Sequence, residues 1–193
     1  MGVLATFDAE ANWVQTDVCD RLLAGCLRRL GGAWGRWKVA APCPADGPLA
    51  ALFESRHSEI ARLHRRLGTD QVERVRLLPD AQGWLQRRGD WRRFAARDGA
   101  AAYAVLEGTL LVHVESGSGH VGVLCEAGEW LAIPAGLRYA IDAGEAPDVD
   151  VLMLSSVGAN HGHTTAAPAD PGLPSLDEFI ETMLEMTGHA EEG

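Results

Sequence analysis

The chain is short of several things. Of its 193 residues one is lysine, against 16 arginines; two are tyrosine and four are cysteine. Positive charge all but disappears from the second half. Residues 1–98 carry 16 basic and 12 acidic side chains, and residues 99–193 carry one and 15, within a net charge of −10. A nucleic-acid face needs clustered basic residues, and neither half has a block of them, so nucleic acid is not an expected partner. No apolar run approaches the roughly 18 residues of a membrane helix, so no membrane span is expected. Cys19, Cys26, Cys43 and Cys125 show no C-x-x-C spacing, and the opening MGVLATFDAE lacks a basic stretch followed by an apolar core. These features read as free thiols in a reducing cytoplasm. The residues Gly2 to Thr6 fit a myristoylation pattern, but the arginine, alanine and glycine bias points to a GC-rich bacterial genome, where that modification is not expected. A G-x-G-x-x-G after a strand, a P-loop and a G-x-S-x-G are all missing.

What is present is ordinary globular composition, 47% hydrophobic and 23% charged, at a length that suits one domain over 1–193. Residues 3–7 and 12–15 read as strands. Thr16 is placed to cap a helix through Leu30, whose apolar positions Val18, Leu22, Cys26 and Leu30 recur every four residues. Gly31-Gly32 stops it, and 33–40 reads as a strand. After the loop 41–48, Pro48 opens a helix to about Leu67 whose stripe includes Phe53, His57, Ile60, His64 and Leu67. His57 and His64 are two turns apart, too far to hold one ion unaided; they read either as packed core-edge residues or as a pocket wall. Val72–Leu78 is a strand and 81–91 a helix. From Trp91 to about residue 155, short strands alternate with Gly/Pro turns, the pattern of a sandwich or barrel. A loop over 158–174 leads to a last helix, with Ser175 and Glu178 as a capping box.

The segments YAVLEG (103–108) and VLCEAGEWLAIPAG (123–136) resemble a cupin barrel. Before the barrel, WVQT, an Arg36-Trp37 strand, a second helix and VERVRLLPD follow the order of acireductone dioxygenases, so the resemblance covers about 3–155. It implies a mainly β fold: a cupin-type β-barrel (jelly roll) over 91–155, an N-terminal α/β layer over 1–90, and a loop and C-terminal helix over 156–193. That family holds a metal with H-x-H-x(3)-E and a later His. Counted from Glu107-Gly108 and from Pro134-Ala135-Gly136, those four positions carry Ala95, Arg97, Ala101 and Tyr139 here. Alanine has no ligand atom, arginine is a fixed cation offering only donors, and tyrosine binds metal as a phenolate, against a reference pKa of about 10. The resemblance therefore carries the fold without the metal, and no cofactor is expected.

Strand alternation turns Ala95, Arg97, Ala101 and Tyr103 into the barrel, with Tyr139 and Ile141 facing them from the other wall. Arg97, Tyr103 and Tyr139 are the candidate catalytic set: a guanidinium to hold a carboxylate or enolate, and two phenols to donate to an oxyanion or shuttle a proton. Ala95, Ala101, Ile141, His57 and His64 are candidate substrate-binding residues. In the alternative reading Arg97 bends out to Asp98 or Glu115, and the tyrosines fill an abandoned cavity. Cys125 and the outward-facing His113 read as packing residues, and His161-x-His163 as a polar loop.

Three functions compete. One is a metal-free enzyme performing an isomerisation, cyclisation or lyase-type step on a small anionic or carbonyl metabolite, expected in bacterial specialised biosynthesis. The second is a non-catalytic binding protein. The third is a metalloenzyme with an unconventional set, such as Tyr139 with His57, His64 or the 161/163 pair. A homodimer is expected only by analogy with cupins.

Overall fold

The computed structural model describes residues 2–37, 60–156 and 172–187. It consists of two antiparallel sheets packed face to face. In chain order the elements are β1 (Val3–Phe7), β2 (Trp13–Asp17), α1 (Asp20–Arg29), β3 (Ala33–Arg36), a helix at 60–67 (α2), β4 (Gln71–Leu77), α3 (Trp84–Trp91), β5 (Ala95–Ala96), β6 (Ala101–Glu107), β7 (Thr109–Ser116), β8 (Gly119–Glu126), β9 (Glu129–Ile133), β10 (Arg138–Asp142), β11 (Val149–Ser155) and α4 (Leu176–Thr187). One sheet has the order β2-β1-β8-β7-β10-β5 and the other β3-β9-β6-β11-β4. The N-terminal segment does more than lie against the barrel. Its strand β1 pairs with β8, β3 with β9 and β4 with β11. Each sheet is thus completed by strands from the first 77 residues.

The period-2 pattern sets what faces what. Val112, Val114, Val121, Val123, Tyr139 and Ile141 from the first sheet meet Ala101, Tyr103, Val105, Leu131, Ile133, Val151 and Met153 from the second in one apolar interior. The alternate residues face outward and are covered. Ile60 and Leu63 of α2 pack on Ala102, Ala104, Leu152 and Leu154. Phe179 and Leu176 of α4 pack on Val3, Ala5, Leu111 and Ala140. A Cβ at Gly122 would stand 3.1 Å from the Phe179 ring and 3.2 Å from His113, so glycine there lets α4 sit close to the sheet. At the β6–β7 turn, Gly108 has φ +76° and a Cβ would strike the Asp148 carbonyl, which accounts for the Glu107-Gly108 turn read from the sequence.

The last helix begins as its capping box predicts. The Ser175 N–H donates to Glu178 Oε2 at 2.7 Å, and the Glu178 N–H to Ser175 Oγ at 3.3 Å. Its first turn is also tied to the barrel by a buried ion cluster. Arg88 of α3 donates through Nε and Nη2 to both oxygens of Asp142 at 2.8 and 2.9 Å, and through Nη2 to Asp177 at 3.0 Å. Asp142 also accepts the N–H groups of Leu176 and Gly144. Burial works to raise the Asp142 pKa, but the guanidinium and the two N–H groups outweigh it and hold it below the usual carboxylate value.

Two local expectations need correction. The first helix starts at Asp20 with Cys19 in the cap position, not at Thr16. Thr16 and Asp17 are still in β2, opposite Ala5 and Leu4. The later start moves the buried stripe to Leu23 and Leu27, leaving Val18 and Leu22 exposed. The strands expected from Trp91 onward begin with a short one, Ala95–Ala96, because α3 runs to Trp91 and Arg92 caps it. The 41–48 loop and the start of the second helix lie outside the described residues. Among those described, no helix is long and apolar enough to cross a membrane.

Candidate functional site

The site is built across the gap between the two sheets. Tyr103 comes from β6, between Leu131 and Met153 of its neighbouring strands. Tyr139 comes from β10, between Val114 and Ala95. Their phenol oxygens meet at 2.8 Å, with ring centroids 6.0 Å apart and the planes at 68°. Both are almost wholly buried, at 1% and 3% exposure. Arg97, just beyond the edge strand β5, lays its guanidinium over the Tyr139 ring, 5.0 Å from the centroid, within cation–π range. The Arg97 carbonyl accepts the Gly136 N–H at 2.8 Å, which ties the Pro134-Ala135-Gly136 turn to this corner. Glu115, one of the two alternative partners expected for Arg97, is engaged by Arg138 at 2.9 Å.

The electrostatics decide what the phenols can do. Burial raises the pKa of both. For Tyr103 the Arg97 charge and the bond to Tyr139 oppose that rise. For Tyr139 the neighbouring Tyr103 adds to it and Arg97 only partly offsets it. Desolvation therefore wins over the nearby cation, and both groups are neutral at pH 7. The proton-shuttle role, which needed a lowered pKa, is not favoured. The pair is a donor: one O–H is spent on the other oxygen, and the remaining O–H is left for a third atom.

The other sequence candidates divide. Ala95 stands opposite Tyr139 in the sheet register, so it shares the inward face. Ala101 and Ile141 are buried members of the same interior. His64 does not join them. It sits on α2, which covers the outer face of the five-stranded sheet, and its Nδ1 is within 2.9 Å of both the carbonyl and the hydroxyl of Thr69. Ile60 and Leu63 of this helix pack on the outside of the sheet, and His64 closes the turn at its end instead of joining the barrel interior. His57, His161 and His163 lie outside the described residues. His113 faces outward as expected. It is buried between the rings of Phe7 and Phe179 with Nε2 2.9 Å from the Pro174 carbonyl, and burial lowers its pKa to about 4. Cys125 is buried in the interior, which pushes its thiol pKa far up and leaves it inert. Among the described residues no group of three His, Cys, Asp or Glu is placed to hold a metal ion.

Sequence reasoning missed a cleft of about 280 Å³ at one end of the barrel. It is lined by residues 31–33, 66–67, 100–101 and 132–135. Its signal was available as a concentration of small residues: Gly31, Gly32, Ala33, Ala100, Ala101, Ala132 and Ala135 leave the space. Of these, Ala101 alone was a candidate substrate-binding residue.

No family model matches the chain. Among curated proteins, it is 30% identical over 135 residues to an acireductone dioxygenase of Pseudomonas paraeruginosa, covering 68% of this chain and 73% of that one. It is 27% identical over 165 residues to acireductone dioxygenase 1 of Nocardia farcinica, covering 82% and 87%. Among solved structures, acireductone dioxygenase from Bacillus anthracis with a cadmium ion in its active centre superposes with a TM-score of 0.71 at 13% identity. That match covers 82% of this chain and 95% of the other.

Proposed function

The chain belongs to the acireductone dioxygenase family, and on that premise we propose that it is a metal-independent member. It would catalyse an isomerisation, cyclisation or lyase-type step on a small anionic or carbonyl metabolite in bacterial specialised biosynthesis. The supporting observation is the Tyr103–Tyr139 bond of 2.8 Å beside the Arg97 guanidinium. The four positions that the resemblance equates with metal ligands hold two methyl groups, a guanidinium and a phenol. The guanidinium repels a cation. The phenol is already bonded to Tyr103 and is held neutral by burial. This donor set does not fit a divalent metal, so no step is routed through one.

The same groups suit oxyanion chemistry. Arg97 places a fixed positive charge beside the interior. The phenol pair presents a donor chain in which one O–H polarises the next. Such donors favour charge that develops on a carbonyl oxygen as it becomes an enolate or alkoxide. The mutual satisfaction of the two phenols also favours a second reading, in which the pair only fills the barrel of a binding protein.

Two measurements test the proposal. Metal analysis of tag-free protein should find less than a tenth of an equivalent of Fe, Ni or Zn. One equivalent that survives chelator and is lost in Tyr139→Phe would end the metal-free reading. In a turnover screen with small 2-oxo acids, Tyr139→Phe should lower kcat more than it raises KM. Equal and minor changes in both would leave the binding-protein reading.

A further inference from the structure

The cleft at the end of the barrel shares a wall with the site. Ala101 and Ile133 are opposite one another across β6 and β9. Both belong to the interior that holds Tyr103 and Tyr139, and both line the cleft. A third link is the turn 134–136, whose Pro134 and Ala135 line the cleft while Gly136 donates to the Arg97 carbonyl. The far wall is the α1–β3 turn. A Cβ at Gly32 would stand 2.7 Å from the Ala132 carbonyl oxygen, so glycine there sets how closely that turn approaches β9.

Among the described residues, one charged side chain lines the cleft, Arg66 of α2. Its guanidinium lies over the Trp130 ring, 5.1 Å from the centroid, and no carboxylate of the described residues pairs with it. Seven of the fourteen other described arginines pair with carboxylates, among them Arg74 with Asp150 and Arg88 with Asp142. In a chain of net charge −10, a cationic fork steadied on an indole at the mouth of a small-residue cleft is a selective feature. The volume of about 280 Å³ falls just below the range of small-molecule sites, about 300–1,000 Å³, so the occupant is a small metabolite.

We propose that this cleft is the entrance compartment of the barrel site and binds a small aliphatic carboxylate, with Arg66 holding the carboxylate and the rest of the molecule lying toward Ala101 and Ile133. The inference rests on the barrel interior being where the chemistry occurs. It adds an anion anchor on a different element from Arg97, so a substrate would be held at one end and polarised at the other.

Hexanoate and hexanamide, matched in shape and differing in charge, are the probes. Each is titrated into the isotopically labelled full chain, following the backbone amides of Gly31, Gly32 and Ala135. Hexanoate should shift these amides saturably and bind about tenfold more tightly than hexanamide, the low end for a charge-assisted hydrogen bond at an exposed site. Arg66→Ala should erase that preference. Ala135→Phe, at the exposed rim, should abolish binding of both without lowering the Tm. The proposal is overturned if hexanoate causes no saturable shift at these amides, or if Arg66→Ala keeps the tenfold preference. The two readings fail separately. If the preference depends on Arg66 while Tyr139→Phe leaves turnover untouched, the cleft stands and the phenol chemistry falls. If Tyr139→Phe lowers kcat but the preference ignores Arg66, the chemistry stands and this proposal falls.

Discussion

Arg88 and Arg97 flank the same strand, β10, and are used in opposite ways. Asp142, outward on β10, receives Arg88 through two hydrogen bonds of 2.8 and 2.9 Å. Tyr139, inward on the same strand, lies under Arg97 with 5.0 Å between guanidinium and ring. On the outer face the guanidinium is neutralised and the result is a joint: α3, β10 and α4 meet at one charge cluster. On the inner face the guanidinium rests on an uncharged ring beside the phenol pair, where the proposed site lies. Alternation along β10 separates a structural use of arginine from the chemical one proposed for Arg97.

The largest effect should come from breaking the joint. Arg88→Met leaves Asp142 buried without its main partner, and loss of one member of a buried ion pair costs about 3–5 kcal/mol. Unfolding in urea should move to lower denaturant by that amount, and the near-ultraviolet signal of Trp13, whose ring is 4.8 Å from Phe179 of α4, should change. A loss below about 1 kcal/mol would mean that apolar packing alone docks α4 and that the comparison overstates the joint.

The next effect uses His113, beneath the same helix. Its folded pKa of about 4 lies below the ordinary 6.5, so the unfolded chain binds the extra proton first. Stability is at its full value above pH 6.5 and falls as the pH drops from 6.5 toward 4, by about 3 kcal/mol over that interval. His113→Gln, which does not titrate, should flatten the profile. A wild-type profile already flat between pH 6.5 and 4 would show that the ring is accessible to protons when folded.

Arg97 should behave in the reverse manner to Arg88. Its cation–π contact contributes roughly 0.5–2 kcal/mol, so Arg97→Ala should lower stability by about 1 kcal/mol. The same change should weaken an anionic ligand roughly ten- to a hundredfold, the equivalent of about 1.5–3 kcal/mol. Isothermal titration and denaturation of the two arginine variants would separate the roles. Equal losses of stability in both, with binding retained in Arg97→Ala, would make Arg97 a second joint.

How much of this could be read from the chain depends on the range of the interaction. Turn chemistry and alternation are local, so Glu107-Gly108, the Ser175/Glu178 cap and the inward placement of Tyr103 and Tyr139 were legible. Where α1 starts was not, because Thr16 is held in β2 by pairing with Ala5, a contact with another strand. The stripe of α2 was visible but not its direction; nothing in Ile60, Leu63 and His64 says which face of which sheet they cover. The Arg88–Asp142–Asp177 cluster joins residues up to 89 positions apart and has no local signature. The proton economy of the phenols was left open between donor and shuttle for a related reason. The sequence shows a cation near two tyrosines, while the opposing quantity, complete burial, belongs to the assembled barrel.

The smallest effect is also the sharpest contrast between the two arginines. Arg88 keeps its partner Asp142 ionised, holding its pKa down against burial. Arg97 does not do the same for Tyr139, whose pKa is raised by burial and by Tyr103 despite the guanidinium. The chain has only two tyrosines, so tyrosinate absorbance near 295 nm reports on this pair alone. Below about pH 9 the folded protein should show no tyrosinate and no tyrosine-linked change in stability, since folded and unfolded phenols are both protonated there. Above about 10, the reference value, the unfolded chain loses protons that the folded one retains, so stability falls as pH rises. The two phenols should then ionise together, with unfolding, in a single step. Tyrosinate appearing below pH 10 while circular dichroism reports an intact fold would mean that Arg97 stabilises a phenolate. Arg97 would then hold an anion just as Arg88 does, and the pair would act as a base instead of a donor.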